Sequence, residues 1–253
     1  MEQGASARGT DVGHSVLEAV WKRARSDLLI PTPKGDPDVF LWEHSSRVAQ
    51  TAQHIAQLPV VRAKRPNEAA VVAAALYHDA GWLNCIRNGS VERIEVLSGP
   101  LSEADHEEGA ALMERSLSTI LARETLETAV RALRCIRNRA SDLIEAQIVA
   151  EAENLQEFGV VSLWSAIRRG AVDGKGVQAV LDGWRRKKEY QFWAARLHDS
   201  FRFEPVRELA RQRLEKLERV LQELDEQHSS ADVEALLKTR VDETSRFPVP
   251  RPQ

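Results

Sequence analysis

Apolar residues recur at every third or fourth position along most of the chain, which is the period of an amphipathic α-helix. Near the start, one such face is ended by Pro31 and Pro33, because proline lacks the N–H group of a helical hydrogen bond. A longer face spans residues 204–228, and Pro205 suits its first turn. No segment alternates apolar and polar residues as a half-buried strand does, and no internal repeat is visible. The pattern predicts an all-α fold. The two faces consist of Val16, Leu17, Val20, Trp21, Ala24 and Leu28, and of Val206, Ala210, Leu214, Leu217, Leu221 and Leu224.

Prolines, glycines and asparagines between the apolar stretches predict where the helices begin and end. Pro37 and Pro59 bracket a second helix, and a third begins near Pro66-Asn67-Glu68. This third helix runs through AAVVAAALYHDA to Gly81, and its nearly all-apolar surface predicts burial at the centre of the domain. Turn signals within 84–100 predict a loop. The expected helices cover 38–57, 66–81, 102–122, 124–137, 143–158, 159–169, 175–195 and 204–228.

The two ends of the chain differ in composition from the middle. Residues 1–13 are small and polar and are predicted to be disordered. Residues 229–253 form a polar tail with three prolines among the last six residues, which no helix tolerates. Residues 14–228 are therefore predicted to form one helical domain.

Composition excludes several classes of protein. With a formal net charge of -3, the chain lacks the excess of basic residues that is typical of proteins that bind duplex nucleic acid. The longest apolar run, 69–77, is far shorter than the roughly 20 residues of a membrane span. The start of the chain lacks the basic and apolar regions of a signal peptide. Cys85 and Cys135 have no metal-type neighbours and are predicted to be reduced thiols. Together these features predict a cytoplasmic protein that does not bind membranes.

Three short segments carry the candidate chemistry: WEHSSRV around His44, ALYHDAGW around His78 and Asp79, and EAQIVAEAENLQEFG around Glu153. An adjacent imidazole and carboxylate are costly to bury in an alanine-lined helix, and a bound cation would offset that cost. Neighbouring side chains of a helix point about 100° apart, so the pair can converge only near a helix end, which Gly81 is expected to supply.

A second His-Asp dipeptide, His198-Asp199, shows that the dipeptide alone has little specificity. It lies in ARLHDSF, with charged neighbours and no buried alanine face. We therefore interpret this second pair as a surface feature. The informative pattern is a histidine, then His-Asp in an apolar helix, then an acidic residue directly before Asn-Leu on another helix.

This combination resembles the HD superfamily of metal-dependent phosphohydrolases, whose pattern is H…HD…D. The resemblance covers roughly residues 14–225 and implies a helical bundle that binds one or two divalent metals and hydrolyses phosphate esters, usually of nucleotides. It implies His44, His78, Asp79 and Glu153 as metal ligands. Glu151, two residues before Glu153, is the alternative carboxylate.

Two departures from the family pattern affect the metal count. Glu153 replaces aspartate, so its carboxylate lies one methylene further out. Members with two metals carry further histidines; His106 resembles the first, but Arg137 and Asn138 stand where the second would be. The resemblance therefore implies one divalent ion, and imidazole with carboxylate ligation suits Mn²⁺, Fe²⁺, Co²⁺, Ni²⁺ or Zn²⁺.

The resulting hypothesis is a hydrolase of a phosphomonoester or phosphoanhydride, such as a nucleotide or a related small metabolite. A metal-activated water is the nucleophile, Asp79 orients it, and His106 shuttles a proton or binds substrate. Arg47 lies three residues after His44 and either clamps a phosphate or pairs with Asp79 or Glu43.

Two alternatives remain open from the sequence. The first is a degenerate HD domain that binds a nucleotide or a protein partner without turnover. The second is a homodimer formed through the apolar stripe of 204–228, which packing within the bundle explains equally well. The tryptophans of the C-terminal half (Trp164, Trp184 and Trp193) are interpreted as core residues rather than as a base-stacking platform.

Overall fold

The computed structural model describes the backbone of residues 5–244 and the side chains of residues 14–237. Helices account for almost all of its regular structure, which confirms the all-α fold class. Within the described backbone, the one β-type pairing is an isolated antiparallel bridge between Ile30 and Asp38. The helices are α1 (Ala5–Leu28), α2 (Phe40–Ala56), α3 (Pro59–Arg62), α4 (Glu68–Tyr77), α5 (Trp82–Arg87), α6 (Glu103–Leu117), α7 (Arg123–Cys135), α8 (Ile144–Glu157), α9 (Ser162–Val172), α10 (Val177–Glu189), α11 (Phe192–Ser200), α12 (Glu204–His228) and α13 (Ala231–Thr244).

Both ends of the chain contain more helix than the sequence predicted. Helix α1 begins at Ala5, although disorder was predicted for 1–13, of which residues 1–4 lie outside the described part. Helix α13 occupies much of the predicted tail 229–253, and the prolines of that tail lie outside the described residues. Extending an existing helix adds a hydrogen bond for each residue fixed, so a helix can continue beyond the apolar periodicity from which it was predicted.

Two internal segments also differ from their predicted form. The predicted loop 84–100 begins inside α5, where Trp82 and Cys85 are buried one turn apart, and it contains a short 3-10 turn at Arg93–Glu95. The single helix expected over 175–195 is divided into α10 and α11. Gln191 separates them in the left-handed conformation, with φ of 52°.

Helix α4 lies at the centre of the bundle, as its composition predicted. Residues 70–77 are fully buried against α1, α2, α6, α7 and α8. The helix begins at the N-cap Asn67, whose side chain accepts a hydrogen bond from the Ala70 N–H. At the other end the Tyr77 hydroxyl donates to Asp27 of α1 at 2.7 Å. Small alanine side chains let the surrounding helices approach closely, which brings residues of several helices to the C-terminal end of α4.

Gly81 is required for close packing rather than for a helix-ending backbone conformation. Its φ of -58° is ordinary helical geometry, so it is not the left-handed cap implied by its position two residues after Asp79. A Cβ atom at Gly81 would lie 2.2 Å from the backbone carbonyl oxygen of Asp105 in α6. On the same contact, a Cβ at Gly109 would lie 2.8 Å from the backbone nitrogen of Gly81. Helix α6 therefore crosses the turn after α4 almost backbone to backbone.

Helix α12 is one of the C-terminal helices that pack against this bundle. Four apolar residues of its stripe (Val206, Ala210, Leu217 and Leu221) are buried within the chain, so intrachain packing explains the stripe on which a homodimer was predicted. Trp193 is buried and Trp184 partly buried, but Trp164 is 61% exposed, contrary to its interpretation as a core residue. Within residues 5–244 no helix is both long enough and apolar enough to cross a bilayer.

We expect Gly81→Ala to destabilise the protein, because the added methyl group meets a backbone carbonyl that cannot move independently of α6. Overpacking of this kind costs roughly 1–3 kcal/mol. The measurement is the denaturation midpoint in urea. Gly183→Ala in α10 is the matched control, since nothing lies within 4 Å of a Cβ at that position. Alanine is favoured over glycine there by about 0.5–1 kcal/mol, so the control should be unchanged or more stable. Equal midpoints for Gly81→Ala and wild type would contradict the close approach.

Candidate metal centre

Three predicted ligands meet where α2 passes the C-terminal end of α4. His44 lies in the second turn of α2, His78 caps α4, and Asp79 begins the following turn. The Nε2 atoms of His44 and His78 are 3.2 Å apart. The Asp79 Oδ2 atom lies 3.3 Å from Nε2 of His44 and 3.2 Å from Nε2 of His78. The three donor atoms thus form a nearly equilateral triangle at the predicted helix end.

The second ring nitrogen of His78 fixes which nitrogen faces this triangle. His78 Nδ1 lies 2.8 Å from the backbone carbonyl oxygen of Ala75. A carbonyl oxygen can only accept a hydrogen bond, so Nδ1 carries the proton. In the neutral imidazole the lone pair is then on Nε2, the atom in the triangle. Metal-binding histidines in proteins are oriented by hydrogen bonds of this kind.

The triangle is strongly polarised. Burial opposes ionisation of Asp79, but the charge of His78 and hydrogen bonds from both histidines lower the Asp79 pKa well below its usual range. Burial also lowers the pKa of His78, but Asp79 outweighs this effect and raises the His78 pKa to about 9. The His78 side chain is 2% exposed and that of Asp79 16%. A carboxylate so placed holds positive charge beside it, whether a proton or a metal ion supplies that charge.

Of the two candidate glutamates in α8, Glu153 is the one whose charge interacts with the triangle, although its carboxylate lies outside the 4.8 Å cluster of His44, His78 and Asp79. Burial raises the pKa of the Glu153 carboxyl, and the charges of His78, Asp79 and His44 all act on it. Glu151 is fully buried on another side of α8. Its carboxylate accepts hydrogen bonds from the backbone N–H groups of Arg202 and Phe203, the latter at 3.0 Å, where α12 begins. The alternative carboxylate is thus engaged in holding α12.

His106 also interacts electrostatically with the cluster, and Arg137 interacts with His106 and Glu153. His106 is in the first turns of α6 and 9% exposed. Burial lowers the pKa of His106, and the nearby charge of Arg137 lowers it further. The Arg137 guanidinium donates to the Leu101 carbonyl oxygen at 3.0 Å, and its charge also reaches Glu153. A permanent cation therefore stands where two-metal relatives were expected to carry a histidine.

Arg47 is not paired with either acid considered for it. Within the described side chains it forms no ion pair shorter than 4 Å, although the charge of Glu43 acts on its pKa. Burial lowers the pKa of Arg47, and its Nε atom is buried without a hydrogen-bond partner. The guanidinium is thus half-buried and available for an anion.

The donor set of the triangle fits a divalent metal ion. Bonds of about 2.0–2.1 Å to nitrogen put neighbouring ligands of a tetrahedral ion roughly 3.3–3.4 Å apart, close to the spacing of the three atoms. Two imidazole nitrogens and a carboxylate oxygen suit a first-row transition metal or zinc. The described residues hold one such cluster, formed by His44, His78 and Asp79.

The comparison with known protein families agrees with the presence of this cluster. The model of the HD domain family matches residues 41–157, a range that contains all four predicted ligands together with Arg47, His106 and Arg137. The chain carries an HD domain at residues 41–157. HD domains are typically metal-dependent hydrolases and bind divalent metals.

Solved structures support the same fold beyond the HD domain itself. The chain is similar to Bacillus subtilis YpgQ in complex with ADP, with 18% identity and a TM-score of 0.53 over 85% of this chain and 96% of that chain. It is also similar to a second crystal structure of Bacillus subtilis YpgQ, with 20% identity and a TM-score of 0.52 over 84% of this chain and 95% of that chain. No curated protein matches the chain. At these identities the likeness establishes the arrangement of helices.

Two contributors to the site could not be assigned from the sequence. The Ala75 carbonyl that orients His78 is a backbone group, and its role depends on α4 ending at Tyr77. Arg137 was noted as a departure from the family pattern, but without a role. In the sequence, the sign of a role for Arg137 was that a cation replaces an expected metal ligand. The fold shows in addition that the charge of Arg137 acts on both His106 and Glu153.

We expect purified protein that has not been chelated to contain close to one transition-metal ion per chain, and His78→Ala to lose it. Loss of one imidazole removes a corner of the triangle and leaves Asp79 without its nearest partner. The measurement is elemental analysis. His198→Ala is the matched control, because His198 belongs to the other His-Asp pair and its side chain is 88% exposed. Metal retained by His78→Ala, or none in wild type after incubation with Mn²⁺ or Zn²⁺, would contradict the site.

We expect Glu153→Gln to weaken metal binding, and Glu151→Gln to leave it within about threefold of wild type. Removing an outer partner of a metal ligand costs about 10–100-fold in affinity, so loss of a ligating carboxylate should cost at least tenfold. The measurement is calorimetric titration of metal-free protein with Mn²⁺. Glu151→Gln should instead lower the unfolding midpoint, because it weakens the acceptor at the start of α12. A larger loss of affinity in Glu151→Gln would reverse the assignment.

Proposed function

We propose that this protein is a phosphohydrolase that uses one divalent metal ion, held by His44, His78, Asp79 and Glu153. The observation that carries the proposal is the triangle of two Nε2 atoms and one Oδ2 atom at 3.2–3.3 Å. Mn²⁺, Fe²⁺, Co²⁺, Ni²⁺ and Zn²⁺ all suit this donor set. The substrate class is a phosphomonoester or phosphoanhydride.

When bound, the metal ion would lower the pKa of a water molecule bound to it and would polarise a phosphoryl oxygen. The protein supplies the positioning. In the hydrolysis, a water oxygen forms a bond to phosphorus while the P–O bond to the leaving group breaks, and a proton passes to the leaving oxygen. The ionised Asp79 carboxylate, 16% exposed at the edge of the triangle, can accept a hydrogen bond from the attacking water and so orient it.

The remaining roles fall to groups around the triangle. His106 has a lowered pKa, so its imidazole is neutral near pH 7 and can accept or pass on a proton. Arg47, half-buried and unpaired among the described side chains, is suited to hold a phosphate oxygen. The cationic Arg137 beside His106 and Glu153 adds positive charge at the place where negative charge develops on the phosphoryl group.

A nucleotide is the substrate that we propose within this class. The support is the likeness in fold to YpgQ, whose structure was solved in complex with ADP. A small phosphorylated metabolite of another kind would satisfy the same metal centre. The proposed location is the cytoplasm, where such substrates are found.

The test is hydrolysis of para-nitrophenyl phosphate and a panel of nucleotides with added Mn²⁺. We expect phosphate release that chelation abolishes and metal restores. Asp79→Asn should lower kcat by at least about 100-fold, the order of loss when one group that stabilises the transition state is removed. Asp199→Asn, in the exposed His198-Asp199 pair, should stay within twofold of wild type.

One result would favour the degenerate domain instead. A protein that binds stoichiometric metal and nucleotide, but releases no phosphate from any monoester or anhydride of the panel, would be a binding module on an HD scaffold. Equal activity in Asp79→Asn and wild type would also contradict the proposed mechanism.

A further inference from the structure

A cleft of about 340 Å³ lies between α2, the end of α8 and α12. This volume is at the lower end of the roughly 300–1,000 Å³ typical of small-molecule sites. One wall is formed by α2, another by the end of α8 and the turn after it, and the third by α12. The described residues that line it are Arg47, Gln50, Thr51, Gln156, Phe158, Gly159, Val160, Val161, Arg213 and Lys216.

The cleft concentrates positive charge without any acid among its described lining residues. Arg47 comes from α2, and Arg213 and Lys216 come from α12. Two other basic residues of α12 are paired: Arg207 with Glu204, and Arg211 with Glu208. In a chain of net charge -3, three neighbouring cations without carboxylate partners among the described side chains form a local field that favours an anion.

Two of these cations are partly withdrawn from water. Arg47 is half-buried, with its Nε atom buried and lacking a hydrogen-bond partner. Burial lowers the pKa of Arg213, and its guanidinium donates one long hydrogen bond, 3.4 Å, to the Leu155 carbonyl oxygen. Its stem lies 3.4 Å from the position that a Cβ atom of Gly159 would take, so it packs against this glycine. A guanidinium that loses hydration without gaining a carboxylate is stabilised by a bound anion.

The cleft and the metal centre lie along the same two helices, α2 and α8. Arg47 follows His44 by three residues in α2, and Gln156 follows Glu153 by three residues in α8. Three residues of helix span about 4.5 Å, and the seven residues from His44 to Thr51 about 10 Å. Gln156 donates to the Thr51 hydroxyl at 3.4 Å, so the two helices run side by side past the cleft. A phosphate group bound in the cleft would therefore lie one to two helical turns from a phosphoryl group bound at the metal centre.

The other lining residues suit a phosphate group attached to an uncharged body. Gln50, Thr51 and Gln156 offer neutral donors and acceptors. Val160 and Val161 are 43% and 54% exposed and give the cleft an apolar rim. Such a mixture of polar and apolar contacts is typical of sites for small organic ligands.

The geometry points to a second subsite, in which Arg47, Arg213 and Lys216 hold a further phosphate group of the substrate while the reacting phosphate lies at the metal centre. This inference rests on the proposed function and narrows it, since it selects phosphoanhydrides with two or more phosphates over simple monoesters. A monoester would leave Arg213 and Lys216 without an anion.

The first experiment measures the subsite without turnover. Inorganic pyrophosphate is titrated calorimetrically into protein freed of metal by chelation and dialysis. We expect one site per chain, and a loss of about tenfold in affinity for Arg213→Gln and for Lys216→Gln, because each removes a charge-assisted hydrogen bond. Arg219→Gln is the matched control, since Arg219 is exposed on the same helix but does not line the cleft; its affinity should stay within twofold.

Lys216→Gln keeps the test decisive if Arg213→Gln folds poorly, because Lys216 is exposed. Unchanged pyrophosphate affinity in Lys216→Gln, or an equal loss in Arg219→Gln, would overturn the inference. So would the absence of binding to folded wild-type protein.

The second experiment links the subsite to substrate choice. With Mn²⁺ added, Lys216→Gln should raise KM for ADP about tenfold and leave KM for para-nitrophenyl phosphate unchanged. Pyrophosphate should inhibit ADP hydrolysis competitively; ADP hydrolysis unaffected by saturating pyrophosphate would overturn the shared-substrate subsite. Failure of all hydrolysis, with pyrophosphate binding still dependent on Lys216, would reject the proposed hydrolase while retaining the anion site.

Discussion

The rest of the structure depends on an ionised aspartate buried beside two imidazoles at the end of the central helix. The charge of His78 and hydrogen bonds from both histidines, whose Nε2 atoms lie 3.2–3.3 Å from the Asp79 Oδ2 atom, lower the pKa of Asp79 there. A lone buried carboxylate would cost several kcal/mol or would become neutral. The surrounding helices must therefore deliver cations, or ligands for a cation, to this one point.

Helix α4 meets this requirement because its side chains are small and its C-terminal end is held in place. Its alanines let α2 and α8 come close enough for His44 and Glu153 to approach its end. Separate contacts then fix that end: the Ala75 carbonyl orients His78, and the Tyr77 hydroxyl binds Asp27. A ligand set that depends on several helices needs such support, because small displacements of any one helix would open the triangle.

The groove between α2 and α8 has two ends of opposite character. At one end carboxylates and imidazoles suit a metal cation. One turn further, arginines and a lysine without acidic partners suit an anion. A phosphorylated molecule bound to a metal ion carries both kinds of charge in the same order. Electrostatic complementarity along the groove thus sets the orientation of a ligand as well as its affinity.

The sequence by itself determined the helical fold class and the burial of α4, because hydrophobic periodicity is a local property. The three residues of the metal triangle were implied by the resemblance of its motifs to the HD superfamily. The sequence did not determine that Gly81 serves a helix crossing, that Glu151 holds α12, or that Trp164 is exposed. It also did not bring Arg213 beside Arg47. Those features depend on which helices meet, and residues of helices distant in sequence converge only when the tertiary structure packs the bundle.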